Sequence, residues 1–191
     1  MNETPELRSE TKQKDQPNLE VFDWLQCIVA AIVFAILFFS FFVRTSIVIG
    51  SSMVPTLTER DILLVNRVYS EPKYGDIVVL RKASFGYDTI IKRVIATQGQ
   101  TVDIDFNEGV VYVDGKALDE PYTNALTYES EGFSGPITVP EGCVFVMGDN
   151  RNRSTDSRSA SLGCVDTRLL IGKAFFRLSP LSKLGKVGGL E

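Results

Sequence analysis

From Trp24 to Val43 the chain reads WLQCIVAAIVFAILFFSFFV, a run without a single charge. At 1.5 Å rise per residue, about 20 apolar residues match a hydrocarbon core of about 30 Å, so this run predicts a transmembrane helix. Past it the period of the pattern changes. TSIVIG, DILLVNRVY, GDIVVLRKA, DTIIKRVIA, QTVDIDF, GVVYVDGKAL, GCVFVMG and IGKAFFRL are short, rich in β-branched and aromatic residues, and bounded by Gly, Pro, Asn or Asp. That is the signature of strands, and Asp114-Gly115 between VVYV and KAL is a two-residue hairpin signal. Helical turns are expected only at Pro55 to Thr58 and around Asp166 to Leu170. The expected fold is therefore mainly β: one N-terminal transmembrane helix followed by an antiparallel coiled sheet or partly closed barrel.

Three segments follow from this pattern. Residues 1–23 are polar, carry Pro5 and Pro17, and read as a flexible tail; residues 24–43 form the anchor; residues 44–191 form one β-rich domain, ending in a GKVGGLE tail expected to fray. A cleavable signal peptide fits the N-terminus less well, because the apolar run is long and Arg44 follows it where a small-residue cleavage site would stand. Arg8, Lys12 and Lys14 before the span slightly outweigh Arg44 and Arg60 after it, which favours a cytoplasmic tail and an outside domain.

Composition narrows the chemistry. The 191 residues include no histidine, so a Ser-His-Asp triad, a Cys-His pair and an HExxH zinc site are all excluded. A formal net charge of −4 argues against nucleic acid as a partner, and no metal or cofactor motif is present. Cys27 lies within the apolar run; Cys143 and Cys164 flank a polar loop, where a disulfide in an oxidising compartment competes with two buried thiols.

Three stretches stand out. Gly50-Ser51-Ser52-Met53-Val54-Pro55-Thr56-Leu57 alone would be an ordinary serine-proline turn. Lys92 in IIKRVI would ordinarily point to solvent from an exposed strand face. Gly148-Asp149-Asn150-Arg151-Asn152-Arg153-Ser154-Thr155-Asp156-Ser157-Arg158 would be a solvated loop with internal turns. In this order, behind an anchor and together with GDIVV, they resemble the type I signal peptidases, from Trp24 to Pro180. The short sequence between Val102 and Pro140 is similar to the compact Gram-positive branch, a bacterial one.

The resemblance implies a Ser/Lys dyad, with Ser52 as nucleophile and Lys92 as general base. That agrees with the missing imidazole, since a hydroxyl needs some group to take its proton. A lysine does so at neutral pH only where burial disfavours its ammonium and no carboxylate pairs with it. Alternation puts Lys92 and Ile90 on one strand face, Ile91 and Arg93 on the other. By the same resemblance Ser154 hydrogen-bonds the Lys92 amine, Asp156 is held by Arg158, and Asp149 pairs with Arg93. Arg151 and Arg153 read as solvated charges.

One oxyanion donor is expected to be the Ser52 N–H. Gram-negative members use a serine hydroxyl two residues before the nucleophile, but here Gly50 stands there, leaving a backbone N–H or a water. Val48, Met53, Ile90 and Ile91 are the expected walls of a small apolar substrate pocket. The implied substrates are secretory preproteins whose signal peptides end in small residues. The implied surroundings are the lipid bilayer of the bacterial cell membrane and the secretion translocon. Two competing readings are a self-cleaving repressor of the LexA type, which would need a soluble DNA-binding module, and a non-catalytic anchored β-domain, which would not need both Ser52 and Lys92.

Overall fold

The computed structural model describes residues 17–69, 71–81 and 89–188, in two compact units, the first ending at Phe39 and the second beginning at Ser40. The expected 1–23 tail lies largely outside the described residues. Helix α1 spans Pro17–Phe42 and so begins before the apolar run; proline is tolerated in a first helical turn, where its missing N–H has no partner to lose. Val21–Phe42 is long and apolar enough to cross a membrane, and none of its most apolar window is buried. A helix apolar on every side with no protein packed over it has lipid as its natural surroundings.

The second unit is antiparallel β. Strands β1 (Val43–Ile47), β2 (Ile62–Asn66), β3 (Ile77–Leu80), β4 (Ile90–Thr97), β9 (Cys143–Met147), β10 (Val165–Asp166), β11 (Leu170–Ser179) and β12 (Gly185–Lys186) form one sheet. Its order is β1-β2-β11-β3-β4-β9-β10, with β12 added to β11, and the end strands do not pair with each other. A second sheet, β7-β6-β5-β8, is built from Thr101–Asp105 (β5), Val110–Val113 (β6), Lys116–Ala117 (β7) and Ile137–Thr138 (β8). It is the small insertion between Val102 and Pro140. Each of the eight segments expected to be extended contains a strand. Asp114 and Gly115 turn the β6–β7 hairpin with φ of 51° and 74°, the left-handed pair of a two-residue loop.

Three apolar clusters hold the sheets. Val48, Met53, Leu57, Val79 and Ile91 belong to one; Val78, Val94 and Val146 to another, against which Ile90 packs; Phe145, Met147 and the inner faces of β5 and β6 to the third. Ile90 and Ile91 thus serve different clusters, as alternation along β4 requires. The Leu57 N–H donates to Met53 O at 2.8 Å, closing a single helical turn after the serines, and Thr167–Leu169 is a one-turn 3-10 helix.

One expectation is corrected. The C-terminal segment does not fray through Gly188: Gly185 and Lys186 pair with Arg177 and Phe176, and Val187 is buried in the core, because β11 offers an open edge there. Cys143 and Cys164 are free, half-buried thiols packed against the third cluster.

Candidate active site

Ser52 sits in the turn that leaves β1, and Lys92 sits in the middle of the β3–β4 register, opposite Val78. Lys92 Nζ lies 2.8 Å from Ser52 Oγ, although 40 residues separate them. Lys92 is 4% exposed. Burial is the dominant influence on its ammonium and, against the opposing pull of Asp156 and a smaller one from Asp149, with Arg158 reinforcing it, brings the pKa down to about 8. With the amine neutral, the same 2.8 Å separation lets the hydroxyl donate to Nζ.

Ser52 and Lys92 open into a cavity of about 270 Å³. Val48, Met53, Ile90 and Ile91 all line it, beside Gly50, Ser52 and Lys92. Gly50 has φ of +81°, and a Cβ there would meet nothing within 4 Å. The backbone, not crowding, is what favours glycine at this position. Among the described residues the Ser52 N–H donates to no protein acceptor.

The GDNRNRSTDSR loop, leaving β9, holds the serine turn from behind. Asn150 N–H donates to Ser52 O at 2.9 Å, and its side-chain amide donates to Ser51 O at 3.1 Å. Gly148 is the point of closest approach: a Cβ there would lie 2.2 Å from Ser154 Oγ and 2.5 Å from Ser52 O. No other residue type fits between these groups without displacing one of them.

Both buried carboxylates of the loop are occupied by arginine. Asp149 receives two hydrogen bonds of 2.7 Å from the Arg93 guanidinium, which also donates to Gly75 O and stacks at 4.0 Å on the Tyr122 ring. Asp156 accepts from Arg158 through both oxygens, at 2.8 and 2.9 Å, and from Gly148 N–H at 3.0 Å. Ser154 differs from expectation. Its hydroxyl donates to Asp156 Oδ2 at 2.8 Å, and no hydrogen bond joins it to Lys92 among the described residues. A fully buried carboxylate takes the available O–H, and only the hydroxyl's lone pairs remain for another donor.

Arg151 also departs from expectation: it is 1% exposed, is paired with Glu120, and donates to Gly148 O and Thr127 Oγ1. Arg153 is exposed and lines the same cavity as Ser52 and Lys92, with Thr155. Glu120 carries no motif signal in the sequence, and Asn152 stands there only as one residue of the polar loop. The Asn152 side chain accepts from Tyr128 and Glu129 N–H and donates to Leu126 O, so residues 120–129 are latched onto the loop. The bare sequence carries no sign of a pairing between Glu120 and Arg151, which are 31 residues apart.

The family described as signal peptidase, peptidase S26, matches residues 21–179. A signal peptidase I of Bacillus licheniformis is 36% identical over 190 residues, covering 93% of this chain and 98% of that protein. A probable signal peptidase I-1 of Synechocystis is 40% identical over 172 residues, 84% of each chain. Signal peptidase I S of Bacillus subtilis is 36% identical over 191 residues, 94% of this chain and 99% of that protein. With the match running from the apolar helix through β11, the chain belongs to the signal peptidase family, peptidase S26.

Proposed function

We propose that this chain is a membrane-anchored serine endopeptidase that removes N-terminal signal peptides from secreted preproteins, with Ser52 as nucleophile and Lys92 as general base. The observation that carries the assignment of roles is the 2.8 Å contact of a buried lysine with a serine hydroxyl in a chain that contains no histidine. Lys92 takes the Ser52 proton as Oγ attacks the scissile carbonyl, and the Ser52 N–H receives the developing oxyanion. Lys92 then gives that proton to the leaving amine, and the resulting acyl-enzyme is hydrolysed by a water that Lys92 deprotonates in turn. With a pKa of about 8, roughly a tenth of the amine is neutral at pH 7, whereas an ordinary lysine near 10.4 would be neutral in fewer than about one molecule in a thousand.

Val48, Met53, Ile90 and Ile91 wall the subsite for a small residue, and the limited cavity excludes bulky ones. An extended substrate has an edge to pair with: β3 pairs Ile90–Arg93, whereas the pairing of β4 with β9 starts only at Arg93, so among the described residues the other edge of Ile90–Lys92 is open. Asp149, Arg93, Asp156, Arg158 and Ser154 are positioning residues that hold the loop and keep carboxylates off the lysine. Helix α1 spans the bacterial cell membrane once, with residues 1–23 cytoplasmic and the β-domain outside, where preproteins emerge from the translocon. Sharing one membrane plane with the signal peptide raises effective concentration.

The test is cleavage of a preprotein by the full-length chain in detergent, with N-terminal sequencing of the product. Cleavage after a small residue is expected, with Ser52→Ala and Lys92→Met each lowering the rate by about 10³-fold or more. Retained activity in Lys92→Met would refute the base assignment.

A further inference from the structure

Four arginines scattered through the sequence, Arg44, Arg67, Arg81 and Arg168, line one open depression of about 490 Å³ beside the apolar start of β11. The antiparallel register gathers them. Arg44 is the second residue of β1, Arg67 follows the end of β2, Arg81 follows the end of β3, and Arg168 precedes β11; Val43 pairs with Asn66, Asn66 with Lys173, and Leu80 with Leu170. The Arg81 N–H donates to Leu169 O at 3.0 Å, which fastens that corner.

The cluster is under-neutralised. Among the described residues only Arg168 has an acid partner, Asp166, and no ion pair reaches Arg44, Arg67 or Arg81. The half-buried or buried arginines elsewhere are different: Arg93, Arg151, Arg158 and Arg177 each face a carboxylate. All four are exposed and solvated, and the planar fork of N–H donors on each suits phosphate oxygens.

The position within the chain supplies the second argument. Arg44 is two residues beyond Phe42, where α1 ends, a reach of about 7 Å even when fully extended. Arg67 is tied to the same end: its backbone N–H donates to Phe42 O at 3.0 Å and its guanidinium to Phe41 O at 3.5 Å. If the helix crosses the bilayer, these side chains emerge at the depth of the headgroups. Leu169, 41% exposed beside them, adds an apolar group at that depth.

We propose that this four-arginine depression binds the phosphate of an anionic phospholipid headgroup at the membrane face from which the β-domain emerges. The inference rests on the reading of α1 as a span and adds a second, electrostatic attachment to it. One covalent tether fixes height loosely; a headgroup clamped at the sheet end restrains the tilt of the domain above the bilayer.

The experiment uses the full-length chain in neutral detergent micelles doped with phosphatidylglycerol or phosphatidylcholine, with lipid retained after washing measured by mass spectrometry. Preferential retention of phosphatidylglycerol is expected. It should fall by about fivefold for each arginine removed in Arg44→Gln and in Arg44→Gln/Arg81→Gln, the strength of one basic residue at an anionic surface. Lys116→Gln, which removes an exposed charge on β7, should leave it unchanged. Equal retention of the two lipids, or a double variant indistinguishable from wild type, overturns the proposal. Displacement of the lipid by excess inorganic phosphate would assign the depression to a free anion and overturn the lipid reading. Flotation with phosphatidylcholine vesicles is measured alongside. Failure to float overturns the anchor and this proposal together, while flotation with equal lipid retention overturns this proposal alone.

Discussion

Two neighbouring cations on β4 show how the molecule separates chemistry from scaffolding. Lys92 and Arg93 are 4% and 3% exposed, so desolvation acts on both. Arg93 points to the loop side, where Asp149 receives it through two 2.7 Å bonds and Tyr122 covers its face. Lys92 points to the serine side, where its nearest partner is the neutral Ser52 hydroxyl. A guanidinium is a permanent cation and must be paired when buried; an ammonium denied a carboxylate can instead lose its proton. The arginines therefore do two things: they stabilise the loop, and by occupying Asp149 and Asp156 they leave no free carboxylate to recharge the lysine. Burial beside a free carboxylate would not lower the lysine's pKa in this way.

The comparison breaks most severely if a carboxylate is released. Arg158→Met leaves Asp156 buried at 0% exposure without its counter-charge, and removing one partner of a buried pair typically costs about 3–5 kcal/mol. Urea denaturation in detergent should show a loss of this size. The surviving fraction should also cleave with an upward-shifted pH midpoint, because Asp156 raises the Lys92 pKa and Arg158 opposes it. A destabilised variant with an unmoved midpoint would mean that the arginine serves the fold alone.

The next effect has the opposite sign. Holding Lys92 near 8 when an unfolded lysine titrates near 10.4 costs about 3 kcal/mol of stability at pH 7. Lys92→Met, which keeps the stem and drops the charge, should recover up to about that amount while abolishing cleavage. Between pH 8 and 10.4 the unfolded chain binds the proton that the folded chain has released, so wild-type stability rises with pH across this window. The gap to Lys92→Met should accordingly close as pH rises through it. With Lys92 as the base, the same ionisation is expected to make the cleavage rate climb about tenfold per pH unit below 8 and level off above. A gap independent of pH would show that folding does not lower the Lys92 pKa.

Much of this arrangement is legible in the sequence, and the boundary of legibility has physical causes. Alternation finds the long strands because half-buried pleated segments must place apolar groups on one face, and the uncharged run marks the helix for the same reason. Strands β8, β10 and β12 escape it because each has two residues, too few for a period; their pairing partners create them. Ser52 and Lys92 stand out through motif resemblance and the missing histidine together. Arg151 is different, since a charge in a polar loop reads as solvated until residues 120–129 are folded over it. Ser154 illustrates a subtler limit: sequence places a hydroxyl near the dyad, but the competition between a lysine and a carboxylate for its proton depends on distances.

That competition defines the smallest of these effects. Ser154→Ala removes one of the donors to Asp156 while Arg158 and the Gly148 N–H still hold the carboxylate. A hydrogen bond to a charged group is worth about 1.5–3 kcal/mol, and with the remaining donors in place the lower end is expected in denaturation. A less fully satisfied Asp156 also pulls harder on Lys92, so the midpoint of the pH–rate profile should move upward and cleavage at pH 7 should fall without vanishing. Full stability with complete loss of cleavage would mean that the hydroxyl works on the lysine directly. Substantial destabilisation with partial, pH-recoverable activity places its role with Asp156, on the arginine side of the comparison.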